Sequence, residues 1–384
     1  MLKTAIVLNP VYVTLFWVLI FLLTLRSGKK PGRILFIFML AAFVLYSSHA
    51  LYFSGFMLAY SYIDGLYLFC SLSVYPLFYF YVRYLTTKSG VPPVQLLHLI
   101  VPVLFAVVQY SLYSGLSHAD RLDYFLMVKD DPTLVRGRFF LLYLNSRIAR
   151  YVFAVQVVIY ISLSLKLLKK QRQQVAEMFS NEERYGLGWV RTITLFMILM
   201  ALTSFSLALA GRETFARHEG WLLIPSVLIS LLLFGIGYIG HIQLRKTELI
   251  SPIIDREERR TAPVTAVDGL RSKFNVYFES HKPYLDKDLK IWDVSRELGS
   301  NRTYISRIIN EEYGMNFTSF VNRFRIEEAK RLIKEDTKSR LTYEHIAEMS
   351  GFGSINSLIR AFKEFESVTP GQYRLKIGSQ GKKT

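Results

Sequence analysis

The chain has little of what a metal centre or a common catalytic site needs. Cys70 is the only cysteine among 384 residues, which excludes an internal disulfide and a cysteine-based metal cluster. The sequence contains no Gly-Lys-Ser/Thr phosphate loop, no His-Glu-x-x-His helix and no Gly-x-Ser-x-Gly nucleophile turn. We therefore predict that the protein is not an enzyme and that it needs neither a cofactor nor a metal.

Acidic residues are scarce, at 30 Asp and Glu against 47 Lys and Arg, which gives a formal net charge of +17. Residues 1–250 hold 23 Lys and Arg against 11 Asp and Glu, whereas residues 251–384 hold 24 against 19. Most of the excess charge therefore belongs to the first part, where basic residues flank apolar stretches. The net charge alone is weak support for nucleic-acid binding.

Hydrophobic residues make up 51% of the chain, which is too apolar for a single soluble domain. Seven apolar segments have about the twenty residues that a helix needs to cross a ~30 Å hydrocarbon layer. They lie at 6–25, 34–56, 62–82, 94–116, 148–168, 189–210 and 221–243. The fold class that they predict is all-α, with a polytopic helical membrane bundle over residues 1–244 and a soluble segment after it.

The distribution of basic residues predicts an orientation, because Lys and Arg are retained on the cytoplasmic side of a membrane. They are dense in the connections 26–33 and 166–184 and after residue 244, and they are missing from the turn 57–61. We expect a multi-pass protein of the bacterial inner membrane, with the N-terminus outside and the C-terminus in the cytoplasm. The basic connection 117–147, which this scheme places outside, leaves the fifth span the least constrained.

A few polar side chains interrupt the apolar segments, where an ionisable group costs about 2.5–3.5 kcal/mol at the bilayer centre. His49 and Gln109 lie deep in their segments and are the candidates for sensing a signal. Asp64, His98 and His241 lie near predicted span ends, so we expect interfacial water to solvate them.

Residues 245–283 form a charged connector that ends in a short amphipathic pattern. Leu270, Phe274, Tyr277 and Phe278 recur at helical spacing before Pro283. This helix could dock on the domain that follows it or on a second copy of the chain. Residues 377–384 form a basic tail.

The segment 284–376 shows two helix-turn-helix patterns. In the first, Gly299 supplies the turn and Asn301 can cap a helix from about 302 to 311; in the second, Gly351 precedes a helix from about 354 to 365. A long helix from 318 to 333 would fix their spacing. The side chains expected to face outward in the two second helices are Arg302, Thr303, Ser306 and Arg307, and then Asn356, Ser357, Arg360 and Lys363.

Four short stretches in this segment resemble the AraC/XylS type of DNA-binding domain, in order and in spacing. They are NRFRIEEAKRL at 322–332, IAEMSGF at 346–352, RAFK at 360–363 and TPGQYR at 369–374. The resemblance implies two recognition helices in successive major-groove segments, about one DNA turn or ~34 Å apart. By position, the outward side chains named above would contact DNA, with Lys363 on phosphate. Ile355 and Ser367 depart from the usual polar residue and glycine.

These patterns predict a membrane-bound one-component transcription factor, whose spans sense a signal and whose tail binds promoter DNA. The expected partners are double-stranded promoter DNA, the lipid bilayer, a second copy of the chain on DNA, RNA polymerase and an unidentified signal ligand. The alternative is a transporter or channel whose cytoplasmic helical tail regulates it through protein contacts. An intramembrane enzyme is disfavoured, since no paired catalytic groups are present.

Overall fold

The structure is a computed structural model that describes residues 2–25, 30–87, 93–130, 135–210, 219–246, 253–254, 256–257, 269–336 and 340–380. In these ranges the regular elements are helices, apart from one isolated antiparallel bridge between Phe179 and Lys290. Part of the predicted turn 26–33, most of the connector 245–283 and the end of the basic tail lie outside the described residues. The chain divides into a first unit, residues 1–168 and 188–246, and a second unit, residues 169–187 and 247–384.

The first unit is built from long apolar helices. They are α1 (Leu2–Leu25), α2 (Lys30–Phe53), α3 (Met57–Thr86), α4 (Ile100–Tyr113), α5 (His118–Asp130), α6 (Gly137–Met178), α8 (Gly188–Ala210) and α9 (Leu223–Lys246). A short helix, α7 (Glu182–Tyr185), lies between α6 and α8 and belongs to the second unit.

Seven stretches of these helices are long and apolar enough to cross a membrane, which confirms the predicted number of candidate spans. They are Ile6–Leu25, Pro31–Phe53, Met57–Thr86, Pro93–Tyr113, Gly137–Met178, Gly188–Leu207 and Leu223–Ile242. Many of their apolar side chains point outward, as expected where lipid rather than water surrounds a helix bundle.

The fifth of these helices is twice as long as the sequence predicted. At 42 residues, α6 is about 63 Å long, whereas the hydrocarbon layer measures ~30 Å. The apolar run that predicted a span at 148–168 ends before Lys169 and Lys170. The helix continues beyond it because its last turns pack into a second hydrophobic core. Val175 and Met178 are buried within the second unit.

The second unit contains a chain of shorter helices: α10 (Leu270–Ser280), α11 (Ile291–Glu297), α12 (Arg302–Tyr313), α13 (Phe317–Glu335), α14 (Tyr343–Met349), α15 (Ile355–Glu366) and α16 (Pro370–Gln380). They surround two hydrophobic cores. The predicted long helix is α13, and it serves both cores: Phe317, Phe320 and Val321 lie in the first, Ile326 and Leu332 in the second.

The amphipathic helix α10 packs on its own chain, one of the two arrangements left open by the sequence. Phe274 and Phe278 are fully buried, and their rings lie 5.3 and 4.9 Å from the ring of Phe320 in α13. Because this apolar face is already covered, it is not available to a second copy in this structure.

Candidate functional site

The first helix-turn-helix consists of α11, a glycine turn and α12. Gly299 has a φ of +60°, which a side chain would strain, and the Asn301 side-chain oxygen accepts a hydrogen bond from the backbone N–H of Tyr304 at 3.1 Å. Ile305, Ile308 and Ile309 are buried. The opposite face of α12 is therefore left for polar contacts.

The four predicted DNA-contacting residues of α12 lie on this outer face. Thr303 and Arg307 are exposed, whereas Arg302 and Ser306 are half-buried. The Arg307 guanidinium forms a long ion pair, 3.9 Å, with the carboxylate of Glu311 on the next turn. Its side chain remains 61% exposed, so the guanidinium can reach a base edge without breaking a strong contact.

The second helix-turn-helix repeats this construction with α14 and α15. Thr342 caps α14, Gly351 turns with a φ of +82°, and Ser354 caps α15. A Cβ on Gly351 would lie 2.8 Å from the Cα of Leu285, so the turn requires glycine for space as well as for its dihedral angle. Asn356, Arg360 and Lys363 are exposed on α15, while Leu358 and Phe362 are buried.

Two serines of the second helix-turn-helix have structural roles. The Ser357 hydroxyl accepts a hydrogen bond from the Ser354 N–H at 3.1 Å and donates one to the Ser354 carbonyl at 2.7 Å, which completes a capping box. Its predicted contact with DNA stays a prediction, but the hydroxyl already has partners. Ser367 ends α15 with a φ of +58°, the left-handed conformation that the usual glycine adopts without strain.

A buried arginine holds the second unit together near the middle of α13. Arg325 is 1% exposed and donates to the carbonyls of Tyr284 and Asp286, both at 2.7 Å. It also donates to the Ser180 carbonyl at 3.2 Å and to the Ser180 hydroxyl at 3.0 Å. Burial lowers the pKa of Arg325 to about 10, while the charges of Asp286 and Asp288 act in the opposite direction. The guanidinium therefore stays charged at neutral pH.

The structure also brings to α15 a residue that the sequence analysis missed. The Arg360 guanidinium and the Ser354 hydroxyl donate to the carboxylate of Glu183, at 2.8 and 2.5 Å. From the sequence, the connection 166–184 was interpreted only as a cluster of basic residues that determines the orientation of the chain in the membrane. The local signal was an Asn-Glu-Glu helix start at Asn181, whose side-chain oxygen accepts from the N–H of Arg184.

The first unit contains a cavity of about 470 Å³, lined mainly by aromatic and aliphatic side chains of α1, α2, α3, α6, α8 and α9. The polar side chains on its wall include His49, Asp64, Arg147 and Arg150. His49 packs edge-on against Tyr67, with their ring centres 5.3 Å apart. A cavity of this size, with polar groups set among aromatic and aliphatic side chains, is typical of a small-molecule site.

Gln109, the other sensing candidate, lies behind the cavity wall. Its amide donates to Asp64 at 2.6 Å and accepts from Asn145 at 2.8 Å, and it is fully buried. Asp64 also accepts from the Tyr113 hydroxyl at 3.0 Å and is 4% exposed. The expectation that interfacial water solvates Asp64 was wrong, because α3 begins at Met57 and carries this carboxylate two turns into the bundle.

Comparison with known proteins identifies the segment that contains α11 to α16. Residues 294–376 match the family described as a helix-turn-helix domain. The segment is therefore a helix-turn-helix domain, the structural type that the resemblance to AraC/XylS proteins implies. Its two helix-turn-helix motifs occupy about the last quarter of the chain, the part in which the resemblance was found.

Similar curated proteins are named as helix-turn-helix transcriptional regulators. The chain is 28% identical over 130 residues to the uncharacterized HTH-type transcriptional regulator YtdP of Bacillus subtilis, which covers 34% of this chain and 16% of that protein. It is 36% identical over 98 residues to uncharacterized HTH-type transcriptional regulators of Staphylococcus aureus strains MSSA476 and N315, which covers 26% of this chain and 12% of each relative. The chain thus spans only 12% to 16% of the length of these relatives. No solved structure matches it.

Proposed function

We propose that this protein is a membrane-bound one-component transcription factor of the bacterial inner membrane, with an external N-terminus and a cytoplasmic DNA-binding domain. The observation that carries the proposal is the pair of equivalent helices, α12 and α15, which expose Arg307 and Arg360 in a chain that also has seven apolar helices. Arginine on such a helix can bind guanine with two hydrogen bonds in the major groove. A chain with both parts connects a membrane signal to DNA without a phosphorelay.

The division of contacts within the domain follows from the side chains. Arg302, Thr303, Ser306 and Arg307 of α12 and Asn356 and Arg360 of α15 read base edges, while Lys363 contacts phosphate. The half-buried Ile355 at the start of α15 meets a thymine methyl group. Promoter DNA is therefore the main partner, with a second copy of the chain and RNA polymerase as further partners at the promoter.

DNA binding by the intact chain in lipid nanodiscs tests this function. A 30-base-pair duplex is first selected from a random-sequence pool by the wild-type protein, and its affinity is then measured between 50 and 200 mM salt. The logarithm of the binding constant should fall linearly with the logarithm of salt concentration, because bound phosphates release counterions. A chain that selects no duplex, but moves a solute across proteoliposomes, would instead be a transporter with a regulatory tail.

We further propose that the cavity of the first unit is where the signal acts, with His49 at its wall and Gln109 supporting Asp64 behind it. A ligand can shift the protein toward its DNA-binding state only by binding one arrangement of the helices more tightly than the other. The apolar lining and the few ionisable groups favour a small amphiphilic molecule over a polypeptide.

Substituting His49→Phe tests this sensing site in cells. The change keeps an aromatic ring and removes the ring nitrogens, so we expect a several-fold change in the output of a promoter reporter, at unchanged protein level. His241→Phe is the matched control, because His241 packs near Trp17 and Phe21 and does not line the cavity. Equal reporter output from the wild type and both variants, under every growth condition tested, would contradict the assignment.

A further inference from the structure

The connection between the fifth and sixth apolar helices supplies an acidic side chain to the DNA-facing side of α15. Glu183 of α7 accepts hydrogen bonds from Arg360, a proposed base contact, and from Ser354, which caps the first turn of α15. One carboxylate oxygen of Glu183 therefore pairs with the Arg360 guanidinium, and the other accepts from the Ser354 hydroxyl at the N-terminus of α15. A DNA phosphate makes contacts of this same kind with arginines and helix N-termini.

Glu183 is held in this position by a well-packed segment. Phe179 stacks on Tyr185 with ring centres 4.1 Å apart, and its carbonyl accepts from the Thr318 hydroxyl at 2.5 Å. Arg184 forms an ion pair with Asp288 at 2.6 Å. The Ser180 N–H donates to the Leu289 carbonyl at 3.0 Å. The segment is therefore part of the second unit and does not merely pass beside it.

The same segment reaches the other DNA-facing helix. Glu177, in the last turns of α6, lines a cavity of about 300 Å³ together with Arg302, Thr303, Ser306 and Arg307 of α12. These four side chains are all of the proposed DNA contacts of the first motif. Acidic residues of one segment therefore stand beside both recognition helices.

We propose that residues 177–184 occupy the DNA-binding surface as an internal competitor, in which carboxylates take the places of DNA phosphates. This inference rests on the proposed function. The ion pair with Arg360 lies at the surface, with 61% of the Arg360 side chain exposed, so the contact is weak enough to be displaced. DNA binding then requires only the exposed Glu183 carboxylate to leave Arg360 and Ser354, while the buried residues of the segment stay packed, and the apparent affinity falls in proportion to the fraction of molecules in which the carboxylate is docked.

The segment is also in a position to respond to the membrane. Residues 169–178 are the end of α6, the helix whose earlier turns form the fifth candidate span. A change in that span which shifts the exposed carboxylates of Glu177 and Glu183 would release the two recognition helices without any change within α12 or α15. The connection 169–187 thereby couples sensing to DNA binding.

The test compares two neighbouring glutamates of α7 in the full chain in nanodiscs, with the 30-base-pair duplex selected by the wild type. Glu183→Gln removes the charge that faces Arg360, and we expect about 3- to 10-fold tighter DNA binding. Glu182→Gln changes the net charge by the same amount, and among the described residues the Glu182 side chain makes no hydrogen bond or ion pair with α15, so the change should leave the affinity within about 2-fold of the wild type. In an Arg360→Ala background, Glu183→Gln should give less than half of its gain, since its partner is gone.

The outcomes separate the two proposals. If the wild type binds the duplex and Glu183→Gln binds it no more tightly than Glu182→Gln does, the internal competitor is disproved while the proposed function stands. An equal increase in DNA affinity in both variants would show a general charge effect, which also disproves the internal competitor. If the wild type selects no duplex at all, the proposed function itself fails. Circular dichroism of each variant checks that the helices are intact.

Discussion

Replacing Arg325 by methionine should lower the stability of the second unit by about 3 kcal/mol or more. The guanidinium makes four hydrogen bonds, to Tyr284, Asp286 and Ser180, and it is almost completely buried. Methionine fills much of the same volume but leaves these acceptors without donors in the interior, and each buried orphan costs about 1–3 kcal/mol. Because Arg325 joins three segments that are distant in sequence, its loss separates them.

Hydrogen–deuterium exchange of the full chain in nanodiscs measures this effect. Amides of α13 should exchange about 100-fold faster in the Arg325→Met variant, since exchange from core helices reports the free energy of opening. Arg331→Met is the control on the same helix: the Arg331 side chain is 47% exposed and pairs with Glu328 and Glu335, so we expect a smaller change of about 1 kcal/mol. Equal exchange rates in the two variants would contradict the claim that Arg325 stabilises the second unit.

The second large effect concerns DNA affinity. Arg307→Ala and Arg360→Ala should each weaken binding of the selected duplex by about 1–3 kcal/mol, or roughly 5- to 150-fold, if each arginine pairs with a base edge. The two residues lie on separate recognition helices, so their effects should be nearly additive in the double variant. Specificity at the contacted base pairs should relax at the same time.

The matched control for these variants is Arg340→Ala, which removes one exposed positive charge outside both recognition helices. It should reduce affinity only through the general attraction between the domain and DNA. Fluorescence anisotropy with the selected duplex and with single-base variants of it distinguishes the loss of a base contact from the loss of general charge attraction. Affinity and base preference that survive the double substitution would contradict the assignment of Arg307 and Arg360.

Local features of the fold could be predicted from the sequence because they depend on neighbouring residues. The turns at Gly299 and Gly351 and the cap at Asn301 all occur where glycine and a short polar side chain indicated them. The seven apolar helices followed from segment length and hydropathy alone. These signals are contained within windows of about twenty residues or fewer.

What the sequence could not reveal depends on contacts between distant segments. Arg325 looks like an exposed residue of an amphipathic helix until residues 180, 284 and 286 are brought around it. Asp64 was assigned to water for the same reason, since Gln109 and Tyr113 approach it from another helix. Glu183 was overlooked because the connection that contains it was interpreted only through its basic charge.

The packing of residues 169–187 also changes the expected path of the signal. In the sequence, the connector 245–283 is the link between the apolar segments and the helix-turn-helix segment. In the structure, the end of α6 contributes Val175, Met178 and Phe179 to the core of the second unit, which gives a second covalent route. A tail fragment that starts at residue 251 would lack this part of the core and the Ser180 partners of Arg325, so the intact chain is the appropriate material for DNA-binding experiments.

Genome-wide immunoprecipitation of the intact, membrane-embedded protein tests the central claim most directly. The wild type should be cross-linked to a limited set of discrete promoter sites, and the variant with both Arg307→Ala and Arg360→Ala should lose them at equal protein level and equal membrane content. Enrichment of no site above background by the wild type, or the same sites from the double variant, would contradict the account.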